Sequence, residues 1–177
     1  TATPNCGPAK LIGSGGYGRV FIADKLASLP ASAVPESLRH LPYAVKRAKS
    51  GAHKLDDLKR EVNVLRMCQH PNVLPLLGYH LDNDSPCLVF PLMRGGSFGD
   101  RLFPTDADPH HLQRLGISPT IQPLRCRERL SILKQATDAL LYLHLPMSDT
   151  GKGVVIHRDF KPENILLGDN LNAHLAD

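Results

Sequence analysis

A glycine-rich stretch that runs straight into β-branched and aromatic residues restricts this chain more than any other feature. Gly13-Ser14-Gly15-Gly16-Tyr17-Gly18 lies between Leu11-Ile12 and Val20-Phe21-Ile22. The Gly-x-Gly-x-x-Gly spacing alone is ambiguous, because it also marks the dinucleotide loop of doubly wound α/β folds. In those folds the glycines lead from a strand into a helix. Here the residues after Gly18 favour a strand, which predicts a β-hairpin whose loop folds over a ligand. Glycines let backbone amides approach phosphate oxygens without a Cβ clash, and Val20 would lay apolar surface on a flat ring. A plain flexible turn fits the same six residues, so the loop needs support from elsewhere in the chain.

Tyr43-Ala44-Val45-Lys46 supplies some, since it reads as an apolar strand ending on a lysine. A buried ammonium needs an anionic partner. From Lys54 to Gln69, Leu55, Leu58, Val62, Leu65 and Met67 or Cys68 recur at three- and four-residue steps, the period of an amphipathic helix. Glu61 stands among the ridge residues Leu58, Val62 and Leu65, where its carboxylate can face Lys46. Taken alone, the two residues also fit an ordinary solvated Lys and Glu.

His70-Pro71-Asn72 ends that helix. Val73 to Tyr79 and Pro86 to Phe90 then read as a strand pair across the turn-prone Asp82-Asn83-Asp84, and Leu26 to Pro42 as a surface excursion. Five strands and one helix make a small α+β unit. Past Phe90, Arg94-Gly95-Gly96-Ser97 suits a hinge into a mainly helical second unit. Phe103 to Leu124 carries four prolines and is predicted as a loop insertion, with His110-His111 too few to hold a metal. Arg127 to Leu145, with Leu130, Leu133, Ala136, Leu140 and Leu143, predicts a buried helix, and Val154-Val155-Ile156 a strand.

Bulk composition excludes several classes. With 21 Lys and Arg against 17 Asp and Glu, the net charge is +4, and no basic run exceeds Lys46-Arg47, so no nucleic-acid stripe forms. Cys6, Cys68, Cys87 and Cys126 are too scattered for a zinc site or a redox motif, which fits a reduced intracellular chain. The longest apolar segment, Ile132 to Leu145, is broken by Lys134, Gln135 and Asp138, so no span of the roughly 20 apolar residues a bilayer requires is expected. Thr1 and Asp177 both read as cuts in a longer protein.

The deciding segment is His157-Arg158-Asp159-Phe160-Lys161-Pro162-Glu163-Asn164, followed by Ile165-Leu166-Leu167 and later by Asp177. It resembles the catalytic loop of eukaryotic protein kinases, with Asp177 in the place of the metal-binding Asp. The resemblance runs from Lys10 to Asp177. It is closest to the receptor-like kinases of plants and the interleukin-1-receptor-associated kinases of animals, through the stretches Glu61 to Tyr79, Leu88 to Ser97 and Leu140 to His144. Cys126 stands where such kinases often carry Trp, and the loops around Ser32, Pro109 and Asp149 look longer.

The resemblance implies a bilobal α+β fold: an N-lobe over 1–90 with a five-stranded antiparallel sheet and one helix, a hinge over 91–96, and the first, mainly helical part of a C-lobe over 97–177. It implies ATP and Mg2+ as cofactors, and with them the division of labour of kinase phosphoryl transfer, carried over residue by residue from the motif match. Ile12, Gly13, Ser14, Gly15, Gly16, Tyr17 and Gly18 would cover the phosphates, and Lys46, oriented by Glu61, would hold them. Val20, Ala44 and Leu166 would enclose the purine, Phe90 would be the gatekeeper, and Pro91 and Met93 would bond adenine through their backbones. Asp100 would bond the ribose or simply start a helix. Asp159 would take the hydroxyl proton, Lys161 would steady the γ-phosphate, and Asn164 and Asp177 would bind Mg2+. Arg158 resembles the arginine that pairs with a phosphorylated activation loop.

Lys161-Pro162-Glu163 implies serine and threonine hydroxyls of protein substrates rather than tyrosine. The corresponding location is the cytoplasm, or the cytoplasmic side of a receptor in the parent protein. A pseudokinase or ATP-binding signalling scaffold is the alternative, and a small-molecule kinase of related fold is a second. Residues 1–177 alone are expected to lack kinase activity.

Overall fold

The computed structural model describes residues 10–14, 18–23, 42–48, 52–81, 86–104, 107–118 and 122–177. Most of the predicted excursion before Pro42 and the predicted turn over 82–84 lie outside them. The chain divides into two compact units, one ending at Arg66 and resuming over Pro75–Leu92, the other made of Met67–Leu74 and Met93–Asp177.

The first unit holds β1 (Lys10–Ser14), β2 (Gly18–Ala23), β3 (Tyr43–Ala48), α1 (Ala52–Met67, its last residue in the second unit), β4 (Gly78–His80) and β5 (Cys87–Pro91). The strands form one antiparallel sheet in the order β1-β2-β3-β5-β4. Residues directly opposite each other share a face. Val20 pairs with Lys46, which pairs with Leu88, and Ile22 pairs with Ala44, which pairs with Phe90, so these six line one face. Val45, Ala23 and Cys87 form a small core on the other, beside Tyr43, Leu77 and Val89. In α1, Leu58 and Val62 are buried, while Asp56–Lys59 and Asp57–Arg60 pair on its wet side.

Of the predicted strand over 73–79 only Gly78 and Tyr79 are strand, and β4 continues to His80. Val73 makes a single parallel bridge to Leu175, and Pro75 lacks the N–H that a ladder would need. Gly18 has a structural reason for being glycine besides any ligand, because a Cβ there would overlap the Arg47 carbonyl oxygen of β3.

The second unit contains α2 (Phe98–Leu102), α3 (Pro109–Leu115), α4 (Cys126–His144), a 3-10 turn over Pro162–Asn164, and an antiparallel hairpin of β6 (Ile165–Leu167) and β7 (Ala173–Leu175). The loop predicted over 103–124 is corrected by α3. Its prolines misled, because Pro109 occupies the first helical turn, where a missing N–H costs nothing. Asp108 accepts from the His110 N–H at 2.9 Å, Gly116 closes the helix at φ 79°, and Leu112 and Leu115 are buried.

In α4 the buried ridge is Ile132, Ala136, Ala139 and Leu143. Leu130 and Leu133, expected inside, are 63% and 44% exposed. Both ridges satisfy the same three- and four-residue period, so spacing could not choose between them. The strand predicted over Val154–Ile156 does not form, and Val154 and Ile156 are exposed. That segment is tied down where the Val155 N–H donates to the Leu143 carbonyl at 2.9 Å.

Lys152, unremarkable in sequence, is 1% exposed. Its ammonium donates to the carbonyls of Leu143, Leu145 and Gly153 at 3.1, 2.6 and 3.0 Å and lies 4.9 Å from the centre of the Tyr142 ring. The last carbonyls of a helix have no partner within it and carry the negative end of its dipole, so a cation there satisfies both needs. Lys152→Met should therefore remove the donor to the part-buried Leu145 and Gly153 carbonyls, while Leu143 keeps its bond from Val155, at about 1–3 kcal/mol. In the full-length protein this should lower the melting temperature by on the order of 5 °C. Lys134→Met, which removes an exposed pair with Asp138, should change the melt by less than about 1 kcal/mol. Equal effects of the two substitutions in calorimetry would contradict the capping role.

Candidate functional site

The first unit contributes a charged pair on an apolar face. β3 presents Lys46 between Val20 of β2 and Leu88 of β5, and α1 presents Glu61 beside its buried residues Leu58 and Val62. Lys46 Nζ donates to Glu61 Oε1 at 3.0 Å, with the two side chains 12% and 29% exposed. Such a pair is too enclosed for water to replace either partner cheaply. Ala44 and Phe90 lie on the same face, opposite each other, with Val20 one step along. Pro91, opposite Tyr43, belongs to the other face. Ile12, Gly13, Ser14 and Gly18 are described and flank the turn, whereas Gly15, Gly16 and Tyr17 lie outside the described residues.

The second unit gathers Asp159, Lys161 and Asn164. Asp159 Oδ2 accepts from Lys161 Nζ at 2.7 Å and from Asn164 Nδ2 at 3.0 Å, and Asn164 Nδ2 also donates to the Asp159 carbonyl at 2.9 Å. His157 frames the loop. Its Nδ1 accepts from the Asp159 N–H at 3.3 Å, so the proton sits on Nε2, which donates to the Ala176 carbonyl at 3.0 Å. Between them Arg158 takes φ 67°, a left-handed conformation costing about 1–2 kcal/mol for a side chain of its kind.

These bonds fix the protonation of the cluster. The Lys161 ammonium first, and the Asn164 amide second, hold the Asp159 carboxyl below the usual aspartate range. Asp159 in turn raises Lys161, with smaller pulls from Glu163 and Asp177. Both hydrogens of the Asn164 amide are committed to Asp159, which turns its Oδ1 away as a hard oxygen donor. Asn164 is joined to the chain leading into Asp177 by an Ala176 N–H to Asn164 carbonyl bond of 2.9 Å. An amide oxygen and a carboxylate on neighbouring backbone fit Mg2+, which takes few protein ligands and keeps water and phosphate oxygens around it. Among the described residues no cluster of three or more His, Cys, Asp or Glu could hold a metal ion.

Leu166 is half-buried on β6, bridged to Ser97 and opposite His174. After the half-buried Met93, Gly95 and Gly96 bond both ways to Leu167 at 2.8 Å, and a Cβ on Gly95 would lie 2.6 Å from the Leu167 carbonyl oxygen. Of the two roles open to Asp100, the structure gives the helix start: its carboxylate accepts from the N–H and Oγ of Ser97, each at 2.8 Å.

A family model described as protein tyrosine and serine/threonine kinase matches residues 8–177. The chain belongs to this kinase family. Its α+β architecture, a five-stranded antiparallel sheet with one helix and a helix-bearing second unit, is the one expected of it. Relatives include the probable serine/threonine-protein kinase PBL7 of Arabidopsis thaliana, 36% identical over 177 residues. The receptor-like kinase LIP2 of the same plant is 32% identical over the same length, and its putative L-type lectin-domain containing receptor kinase V.6 is 29% identical. Essentially all of this chain is covered in each, but it spans only 40%, 27% and 29% of their respective lengths. The likeness to plant receptor-like kinases read from residues 61–79, 88–97 and 140–144 agrees with these relatives.

Sequence reasoning did not single out Lys152, Asn72 or Gln135 as supports of this unit. Only a lysine in a polar turn, an asparagine after a helix and a glutamine interrupting an apolar run were visible.

The charge pattern makes a pH prediction. Because the Asp159 pKa is depressed, the stabilisation from its partners is complete above the ordinary aspartate value of 3.8 and is lost only as pH falls through the lower folded value. Lys161→Met should move the Asp159 midpoint upward towards 3.8, read from carboxyl carbon shifts in an NMR titration. An unmoved or lowered midpoint would show that Lys161 is not its cause.

Proposed function

We propose that the protein carrying this chain is an ATP-dependent kinase that phosphorylates serine and threonine hydroxyls of other proteins in signal transduction. The observation that supports this most is the Asp159–Lys161–Asn164 cluster, with a carboxylate held ionised by a lysine and an amide, and with Asn164 bonded through its backbone to Ala176 next to Asp177. The names of the relatives and Lys161-Pro162-Glu163 favour serine and threonine.

In this reading Asp159 orients the attacking hydroxyl and accepts its proton, a task for an ionised carboxylate within hydrogen-bond reach. Lys161, bonded to Asp159, carries positive charge to the transferred phosphoryl oxygens. Lys46, steadied by Glu61, holds the α- and β-phosphates, and the amides from Ile12 to Gly18 close over them. Val20, Ala44 and Leu166 enclose the purine, with backbone bonds from Pro91 and Met93. Mg2+ bound with ATP neutralises phosphate charge, and Asn164 and Asp177 are its proposed protein ligands. No described helix is long and apolar enough to cross a membrane. The names of two relatives support a link to a receptor, and the proposed place of the kinase domain is its cytoplasmic side.

Asp159→Asn in the full-length protein should lower kcat by on the order of 10²–10⁴, with ATP affinity changed less than about threefold. Lys46→Met should weaken both. Steady-state kinetics on a serine peptide, beside nucleotide titration, tests the two together, and wild-type turnover in Asp159→Asn would remove Asp159 from the mechanism.

A further inference from the structure

One side chain of α4 grips the strand that leads to Asp177. Gln135 Oε1 accepts two hydrogen bonds, from the Ala173 N–H at 2.9 Å and from Asn72 Nδ2 at 3.1 Å. Asn72 Nδ2 also donates to the Ala173 carbonyl at 2.9 Å, so both peptide groups of Ala173 meet this side-chain pair. The Gln135 amide is oriented in turn, because Nε2 donates to the carbonyl and Oγ of Ser131 at 3.3 and 3.4 Å. That assigns Oε1 to the acceptor side without ambiguity.

The location gives the clasp its consequence. Ala173 is the first residue of β7 and is 1% exposed, so water cannot take over its peptide bonds. Further along β7, Leu175 donates to the Asn72 carbonyl at 2.8 Å and accepts from the Leu74 N–H at 2.9 Å. Asp177 follows two residues after β7 ends, and on its other side β7 has only the three residues of β6. Backbone pairing to 72–74 fixes the far half of the strand, while Gln135 fixes its start.

We propose that Gln135 is a positioning residue for Asp177: by holding Ala173 together with Asn72, it sets the register of β7 and hence where the Asp177 carboxylate meets the metal-bound nucleotide. This rests on the reading of Asp177 as a metal ligand. Outer partners that orient a metal ligand are typically worth on the order of tenfold or more in metal affinity.

The test uses Gln135→Met, similar in length but without the oxygen acceptor, and Gln135→Glu, which keeps an acceptor for both donors but turns a second oxygen, able to accept from the Ser131 hydroxyl, towards the exposed Ser131 carbonyl. Gln135→Asn, still polar but one methylene shorter, serves as a milder loss variant should Gln135→Met fail to fold. Two quantities are read in the full-length protein: hydrogen exchange of the Ala173 amide without metal or nucleotide, and the Mg2+ concentration that half-saturates binding of a fluorescent ATP analogue. Gln135→Met should speed Ala173 exchange by about tenfold and raise the half-saturating Mg2+ by roughly tenfold, with Gln135→Asn moving both the same way by less. Gln135→Glu, which keeps the acceptor for Ala173 and Asn72, should shift both clearly less than Gln135→Met. Faster exchange with an unmoved Mg2+ requirement would make Gln135 merely structural and overturn the proposal, as would equal shifts in the Met and Glu variants. Asp177→Asn is run alongside. If it leaves the Mg2+ requirement unchanged, the metal-ligand reading fails and this proposal with it. If it raises the requirement while the Gln135 variants do not, the positioning proposal alone fails.

Discussion

A two-stranded hairpin with three residues on each side does not hold together in water on its own. β6 and β7 are such a hairpin, and both the segment from His157 to Asn164 and the residue Asp177 hang from it. What keeps it folded is burial of one face and bonding along both outer edges. Ile165, Leu167, Ala173 and Leu175 are nearly inaccessible, which at about 25 cal/mol per Å² outweighs what so short a ladder contributes. Each outer edge is then satisfied by a different neighbour. Gly95 and Gly96 bond Leu167, while residues 72–74 and Gln135 bond β7. The chemistry of the second unit is thus held by groups that do no chemistry.

Three lysines illustrate how environment decides what a positive charge does. Lys152 is sealed among carbonyls and acts as a cap. Lys46 is mostly enclosed, and its bond to the Glu61 carboxylate holds its charge at a fixed place on the sheet face. Lys161 is about half exposed and pairs with Asp159 in contact with solvent, where the attraction is screened and the pair can rearrange. A stabilising argument suits the first, and positioning arguments suit the other two.

Much of this was legible in the sequence because it is local. The hairpin around the glycines, α1 and the loop over 157–164 were all readable, since strand-forming residues after Gly18, a helical period from Leu55 to Leu65 and a compact motif need no knowledge of distant partners. What failed depended on partners far along the chain. Leu130 and Ile132 are equally apolar, and which one is buried follows from where α4 packs. Val154–Ile156 looks like a strand by composition but has no strand to pair with among the described residues. The helix over 109–115 was hidden by prolines whose cost vanishes at a helix start. Gln135 and Lys152 carry no local mark at all, because their significance lies in carbonyls and amides that only the folded chain brings to them.

Arg158 joins the local and the distant. Its left-handed backbone is uphill by itself, and within the His157-Arg158-Asp159 tripeptide the bond that spans it is the long one of 3.3 Å from the Asp159 N–H to His157 Nδ1. The opposing bonds come from both sides of the strained residue: His157 to the Ala176 carbonyl and Asn164 to Asp159. The first of those bonds exists only when β7 brings Ala176 back beside the loop. Strain at Arg158 is therefore tolerated to the extent that the hairpin is docked, and loosening β7 would relax the conformation in which Asp159 is presented. The geometry of the carboxylate and the integrity of a strand that begins only at Ala173 are one cooperative unit rather than two independent features.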